Sequence, residues 1–221
     1  MGFADDADYR DYLERLLELA PRHRVQLHGW CLLPQAVWLL LTPADAAGMS
    51  ALLQALARLH SRRWRDRALP QGADAPRWQG RFRSAVLQPG GWALDALCAL
   101  EQAPALDGAG LNPDSWRWSS LAHHVGRSAQ PGLRELPALW SLGNTPYARE
   151  AEYLRLLQGG RGGAVWPQLQ RALQAGLALG DAGFLDALQQ QLGRPLRPAR
   201  RGRPPRAAQP GRVQAASICP H

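Results

Sequence analysis

The stretch VQLHGWCLLPQAVWLLLTP (25–43) holds two predicted strands separated by a turn at Pro34-Gln35. In its first part (25–33), apolar and polar residues alternate, which predicts a half-buried strand with His28 on the less buried face. The following segment (36–42) is almost wholly apolar, which predicts a strand covered on both faces. The chain therefore contains a sheet.

Helices are predicted on both sides of these strands. Upstream, apolar residues recur at three-to-four spacing between Tyr9 and Ala20, after aspartates suited to a helix N-terminus. Downstream, a second helix is predicted from about 46 to 63, a third strand over 82–88 and a third helix over 92–103. This order is that of an α+β, ferredoxin-like sheet that lacks its first strand, so one sheet edge should be open.

The rest of the chain divides into two further parts. From 133 onward the pattern is helical, and from Gly193 the composition becomes rich in Arg, Pro and Gly, which predicts disorder. We therefore expect a main domain over 1–125, a helical extension over 126–192 and a disordered basic tail over 193–221.

Composition favours an anionic partner. The 221 residues carry a formal charge of +8 with a pI near 10.6, and all 26 basic residues are arginine. Eight arginines lie within 58–83 and seven, with no acid, within 194–212. Such clusters favour nucleic acid or another anionic surface.

The remaining composition points to the cytoplasm. The three cysteines form no CxxC pair, which argues against a zinc site or a disulfide framework. The acidic, polar start is unlike a signal peptide, and no apolar run approaches the roughly 20 residues of a membrane span. We expect a cytoplasmic protein with no membrane partner.

Several collinear stretches resemble one family. LPQAVWLLLTP (33–43) resembles the MPNHVHLLLTP signature of the REP-associated tyrosine transposases, which belong to the HUH superfamily with the insertion-sequence-200-like transposases. The likeness continues through RWQGRFRS (77–84), LNPDSWRWSS (111–120), LWSLGNTPYAREAEYLRLL (139–157) and LGRPLRPARRGRPPR (192–206).

The resemblance implies a HUH-type sheet, a bacterial mobile-element origin and binding of single-stranded hairpin or palindromic repeat DNA. Family members usually begin with a strand before the first helix, so this chain looks truncated at its N-terminus. Bound to DNA, it would be associated with the nucleoid. The sequence gives no indication of the oligomeric state.

The family's chemistry requires residues that this chain lacks. Two histidines on a central strand and a third ligand hold Mg²⁺ or Mn²⁺, and a helical tyrosine attacks the phosphate. The histidines align with Ala36 and Trp38, the tyrosine with Ala99 and the third ligand with Ala103. None of these side chains can bind a metal or act as a nucleophile, so we expect no cofactor and no strand cleavage.

Nearby polar residues are poor substitutes. His28 is interpreted as a strand residue, Glu101 as a solvated helix residue, and the adjacent His123 and His124 as structural or surface residues. None of the four tyrosines lies where the nucleophile should be.

DNA contacts are predicted in two regions. Around the second helix, arginines could contact phosphates, and Trp78 or Phe82 could either stack on an unpaired base or pack in the core. In the tail, PARRGRPPR (198–206) resembles an AT-hook that lies in a narrow minor groove. The predicted DNA-binding residues are Arg58, Arg62, Arg63, Trp78, Arg81, Arg83, Arg201 and Arg203.

Three hypotheses follow. The first is a transposase-derived DNA-binding protein that does not cleave its target. The second is a non-functional pseudogene remnant, motivated by the missing strand and the lost site. The third is an active transposase that uses unrecognised residues.

Overall fold

The predicted hairpin is present in the computed structural model, which describes residues 2–66, 78 and 80–196. Strand β1 (Val25–Leu32) pairs antiparallel with β2 (Val37–Pro43). A bulge between Leu27 and Gly29 shifts the register, so that Leu27 and Trp30 both face the same core cluster. The predicted burial of the two strands was wrong, because β1 is buried at every residue except Gln26, whereas no residue of β2 is fully buried.

The chain is mixed α and β, as expected. The helices of the described part are α1 (Asp6–Arg22), α2 (Ala46–Arg65), α3 (Gly91–Glu101), α4 (Ala103–Leu106), α5 (Leu121–His124), α6 (Pro137–Trp140), α7 (Pro146–Gln158), α8 (Arg161–Ala175) and α9 (Ala182–Leu192). Helices α1 and α2 begin at aspartates whose side chains accept backbone N–H groups, Asp5 from Asp8 and Asp45 from Gly48.

Helices α1 and α2 cover one face of the hairpin. Leu16 of α1 and Leu52 and Leu56 of α2 are almost fully buried against Leu27. Each such leucine contributes about 1.5–3 kcal/mol to folding. Helix α3 covers the other face, where Gly29 lets it approach closely: a Cβ at Gly29 would lie 2.5 Å from Leu97 Cδ1.

The predicted third strand was wrong in its extent and its pairing. Only Val86–Leu87 (β3) is a strand, and it pairs in parallel with Ala178–Leu179 (β4) instead of joining the hairpin. The segment before it adopts no regular structure where described. Val86 and Leu87 therefore form a separate two-stranded sheet with β4, beside the C-terminal helices.

The two edges of the hairpin differ. On β1, Leu32 N–H donates to the Trp118 carbonyl and Ser120 N–H donates to the Trp30 carbonyl, so an irregular segment closes this edge. No strand of the described residues pairs with the outer edge of β2. Within the described ranges, β2 therefore has the open edge that the sequence predicts.

The C-terminal helices share cores with α3. Val165 and Trp166 of α8 belong to one cluster with Ala99, and Tyr153 and Leu157 of α7 pack beside α3 in another.

The predicted start of the disordered tail at 193 was wrong. Leu196 is 1% exposed and its carbonyl accepts the Ala178 N–H, so ordered structure continues to Leu196. The rest of the predicted tail, 197–221, lies outside the described residues. Among the residues that the structure describes, no helix is long and apolar enough to cross a membrane.

Candidate functional site

The four positions that the resemblance assigns to catalysis lie together. Ala99 and Ala103 are fully buried at the end of α3 and the start of α4. Ala36, just before β2, and Trp38, near its start, pack against the same hydrophobic cluster. The four positions therefore border one hydrophobic cluster.

The indole of Trp166 belongs to the same hydrophobic cluster. Trp166 of α8 lies against Trp38, with ring centroids 4.8 Å apart and planes inclined by 51°. The Trp38 Nε1–H donates to Asp107 Oδ2 at 3.4 Å, and burial raises the pKa of Asp107 above its usual value. The cluster around the two indoles is otherwise hydrophobic, and Asp107 is the one carboxylate that the described hydrogen bonds place at Trp38.

Close packing of α8 on α3 leaves little room beside these residues. A Cβ at Gly162 of α8 would approach the Cys98 carbonyl group of α3 to 2.8 Å, so only glycine fits there without movement. Across the described ranges, no three His, Cys, Asp or Glu side chains are placed to hold a metal ion. The arrangement is that of a helix-packing core.

Glu101 is buried, so its interpretation as a solvated helix residue was wrong. Its carboxylate is 0% exposed and accepts hydrogen bonds from Ser120 Oγ at 2.5 Å and Tyr153 OH at 2.8 Å, while His124 Nδ1 lies 2.6 Å away. These partners belong to two chain segments distant in sequence, Ser120 and His124 at α5 and Tyr153 in α7. Glu101 thus joins α3 to α5 and α7, which a sequence pattern cannot reveal.

His28 is also buried, and its predicted place on a less buried face was wrong. Its Nδ1 lies 2.7 Å from the Arg134 carbonyl and its Nε2 lies 2.9 Å from Thr42 Oγ1. Burial lowers the pKa of His28 and of the half-buried His123. The bulge in β1, which turns His28 inward, has no clear sequence signal.

The tyrosines are poorly placed for attack on a phosphate. Tyr9, Tyr12 and Tyr153 are buried, and burial raises the pKa of each, to about 12 for Tyr9. Only Tyr147, at the start of α7, is exposed. It lies outside the cluster that contains Ala99.

A row of arginines runs along the exposed side of α2. Arg58, Arg62 and Arg65 are exposed and spaced four and three residues apart, which places them on one helix face. Arg62 lies 4.0 Å from Asp66, while Arg58 and Arg65 form no ion pair within the described ranges. We call these three residues the α2 arginine row; the sequence interpretation missed Arg65, although the helical period could have found it.

The α2 arginine row borders a shallow surface cavity of about 810 Å³. The cavity is otherwise lined by the small residues Ala55, Ala57 and Ser61, together with Leu59. Small side chains between arginines let an extended polyanion approach the helix closely. The surface can therefore receive a phosphate backbone.

The other predicted contacts near α2 divide into two groups. Arg63 is engaged, because its Nε lies 2.9 Å from Asp8 Oδ1 and its Nη1 lies 3.5 Å from Asp11 Oδ1. Trp78 packs partly buried against Tyr12 and His60, as expected for the core alternative.

Beyond Trp78, Arg81 and Arg83 are exposed, and the Arg81 guanidinium lies 5.3 Å from the centroid of the half-buried Phe82 ring. Arg201 and Arg203 of the predicted AT-hook lie outside the described residues.

Comparisons with known proteins add no identification. No family model, no curated protein and no solved structure matches this chain.

Proposed function

We propose that the protein binds DNA through the α2 arginine row and does not cleave it. The observation that carries the proposal is this row of exposed arginines, two of them without an acidic partner in the described structure. A guanidinium that is not held by a carboxylate can bind phosphate oxygens in the same two-pronged manner.

The length of the row suits a nucleic-acid strand. Seven residues separate Arg58 from Arg65, which corresponds to about 10.5 Å along a helix. At roughly 3.4 Å per nucleotide of a duplex strand, this length spans about three nucleotides. The chain's net charge of +8 favours the same partner.

The proposed absence of DNA cleavage rests on the side chains at the four positions that align with the family's catalytic residues. The convergence of Ala36, Trp38, Ala99 and Ala103 supports the resemblance to REP-associated tyrosine transposases with a HUH-type fold, and the apolar side chains support the loss of activity. The proposed target is therefore the family's hairpin or palindromic repeat DNA, bound in the cytoplasm at the nucleoid.

The test combines binding and chemistry on one hairpin oligonucleotide. We expect saturable binding at low salt by fluorescence anisotropy, and no covalent protein–DNA adduct on a denaturing gel after incubation with Mg²⁺ or Mn²⁺. An adduct would overturn the loss of cleavage and favour a transposase with unrecognised residues. Substitution of each tyrosine would then locate the nucleophile.

The remnant hypothesis is favoured by one observation, the open edge of β2. A long apolar edge strand exposes unpaired backbone groups and promotes aggregation. A cooperative thermal transition of the purified chain, together with detectable protein in cells, would count against a remnant. A non-cooperative, aggregating chain would favour it.

A further inference from the structure

Two large aromatic side chains are exposed away from α2. Trp140 at the end of α6 is 64% exposed, and Tyr147 in the first turn of α7 is 83% exposed. They flank the short turn between these helices. Tyrosine and tryptophan are enriched at binding interfaces, because each combines an apolar ring with a polar group.

The Trp140 ring is held in place. Its Nε1–H donates to Glu135 Oε2 at 2.5 Å, and Glu135 Oε1 in turn lies 3.2 Å from Arg149 Nε. Because its polar edge is held and most of the side chain is exposed, the ring offers its apolar surface to solvent. A positioned ring loses little entropy when a ligand stacks on it.

The surroundings favour a nucleotide over a protein surface. Between Trp140 and Tyr147 in the sequence lie the exposed polar residues Ser141, Asn144 and Thr145, alongside half-buried Leu142 and Gly143. A protein-binding patch usually has a contiguous apolar core, whereas bases need an aromatic face among hydrogen-bonding groups.

Charge is compatible with the same ligand. The Glu135 carboxylate is balanced by Arg149, and Arg134 is exposed with no ion pair among the described residues. The patch therefore adds no net repulsion to a polyanion, while the whole chain carries +8.

We propose that Trp140 and Tyr147 form a stacking platform for an unpaired DNA base. The inference rests on the proposed DNA binding and extends it, since it assigns recognition of single-stranded bases to the α6–α7 turn. The α2 arginine row would hold the phosphates, and the platform would distinguish a hairpin loop or single strand from a closed duplex.

The experiment compares two fluorescent DNA probes by anisotropy. One is a hairpin with an oligo-dT loop, and the other is a blunt duplex with the same stem sequence. We expect Trp140→Ala to weaken binding of the hairpin by at least about fivefold, the lower bound for lost base stacking, and to leave duplex binding unchanged. Tyr147→Ala should act in the same direction.

Control variants separate stacking from general effects. Trp140→Phe keeps an aromatic face and should retain most of the hairpin affinity. Leu192→Ala removes another exposed apolar side chain, 47% exposed, and should change neither probe's affinity. Thermal melting checks that each variant is folded, which is expected because exposed side chains contribute little to stability.

Four other outcomes would contradict base stacking on Trp140 and Tyr147. Equal hairpin binding by wild type and Trp140→Ala does so while leaving the proposed function intact, provided that substitution of the α2 arginine row still weakens both probes. Equal loss on both probes removes the preference for unpaired bases. Loss of self-association without loss of DNA binding would identify the patch as a protein interface. If wild type binds neither probe, the proposed function itself fails.

Discussion

Trp166 of α8 lies 4.8 Å from Trp38 of β2, measured between ring centroids, and this contact covers the place where the resemblance locates the chemistry. The packing of α8 therefore depends on the small side chains at the end of α3 and the start of α4. A side chain larger than alanine at Ala99 or Ala103 would compete with α8 for the same space.

Ala99→Tyr, which places a tyrosine at the position that the resemblance aligns with a nucleophile, should destabilise the protein. Ala99 is fully buried, and overpacking a core commonly costs about 1–3 kcal/mol, with the bulk of a phenol at the upper end. The free energy of unfolding in urea measures the effect. Ala105→Tyr, at an exposed position of α4, is the matched control and should be nearly neutral. Equal stability of both variants would show that α8 does not occupy this space.

Glu101→Ala should be among the most damaging single substitutions. It leaves the buried Ser120 hydroxyl, His124 imidazole and Tyr153 hydroxyl without their acceptor, and each unsatisfied group costs about 1–3 kcal/mol. We expect a loss of about 3 kcal/mol or more in urea unfolding.

The control for Glu101 is Glu18→Ala, which breaks an exposed ion pair with Arg22 and should cost at most about 1 kcal/mol. Glu101→Gln keeps one acceptor oxygen and should lie between the two. A Glu101→Ala variant as stable as Glu18→Ala would contradict the role of Glu101 in joining α3, α5 and α7.

The sequence predicted the elements but not all of their partners. Helical and alternating periods placed α1, β1, β2 and α2 within a few residues, because local patterns determine local structure. They could not show that β3 pairs with β4, about 90 residues later, or that Glu101 is buried by three distant partners. Long-range packing decides both.

The candidate surfaces divide in the same way. Charge clustering led to Arg58 and Arg62, but only the fold shows that Arg63 is engaged by Asp8 and Asp11. The exposure of Trp140 likewise depends on how a short helix packs, since a tryptophan in an apolar stretch is more often buried.

Acid should destabilise the folded state through buried histidines. Burial lowers the folded-state pKa of His60, as it does for His28, below the ordinary value of 6.5. As the pH falls through about 6.5, these histidines take up protons in the unfolded chain but not in the folded chain. The free energy of unfolding therefore decreases below that pH. Each histidine contributes up to about 1.4 kcal/mol per pH unit in this window.

The measurement is urea unfolding at pH 7.5 and 5.5. His60→Leu removes one of these groups, together with a buried Nδ1 that has no hydrogen-bond partner, and should lose less stability on acidification than wild type. An unchanged pH dependence in this variant would show that His60 titrates normally.

The central proposal is that the α2 arginine row, on one face of the helix, holds DNA phosphates. The decisive measurement is the affinity for hairpin DNA as a function of salt, for wild type and for Arg58→Ala/Arg62→Ala/Arg65→Ala. The control, Arg22→Ala/Arg127→Ala/Arg155→Ala, removes the same charge from exposed arginines paired with Glu18, Asp114 and Glu152.

We expect wild type and control to bind hairpin DNA at low salt, with similar slopes of log affinity against log salt. The variant of the α2 arginine row should bind more weakly, and its slope should be shallower by about 2–3. No wild-type affinity at low salt, or equal loss in both variants, would contradict DNA binding by this surface.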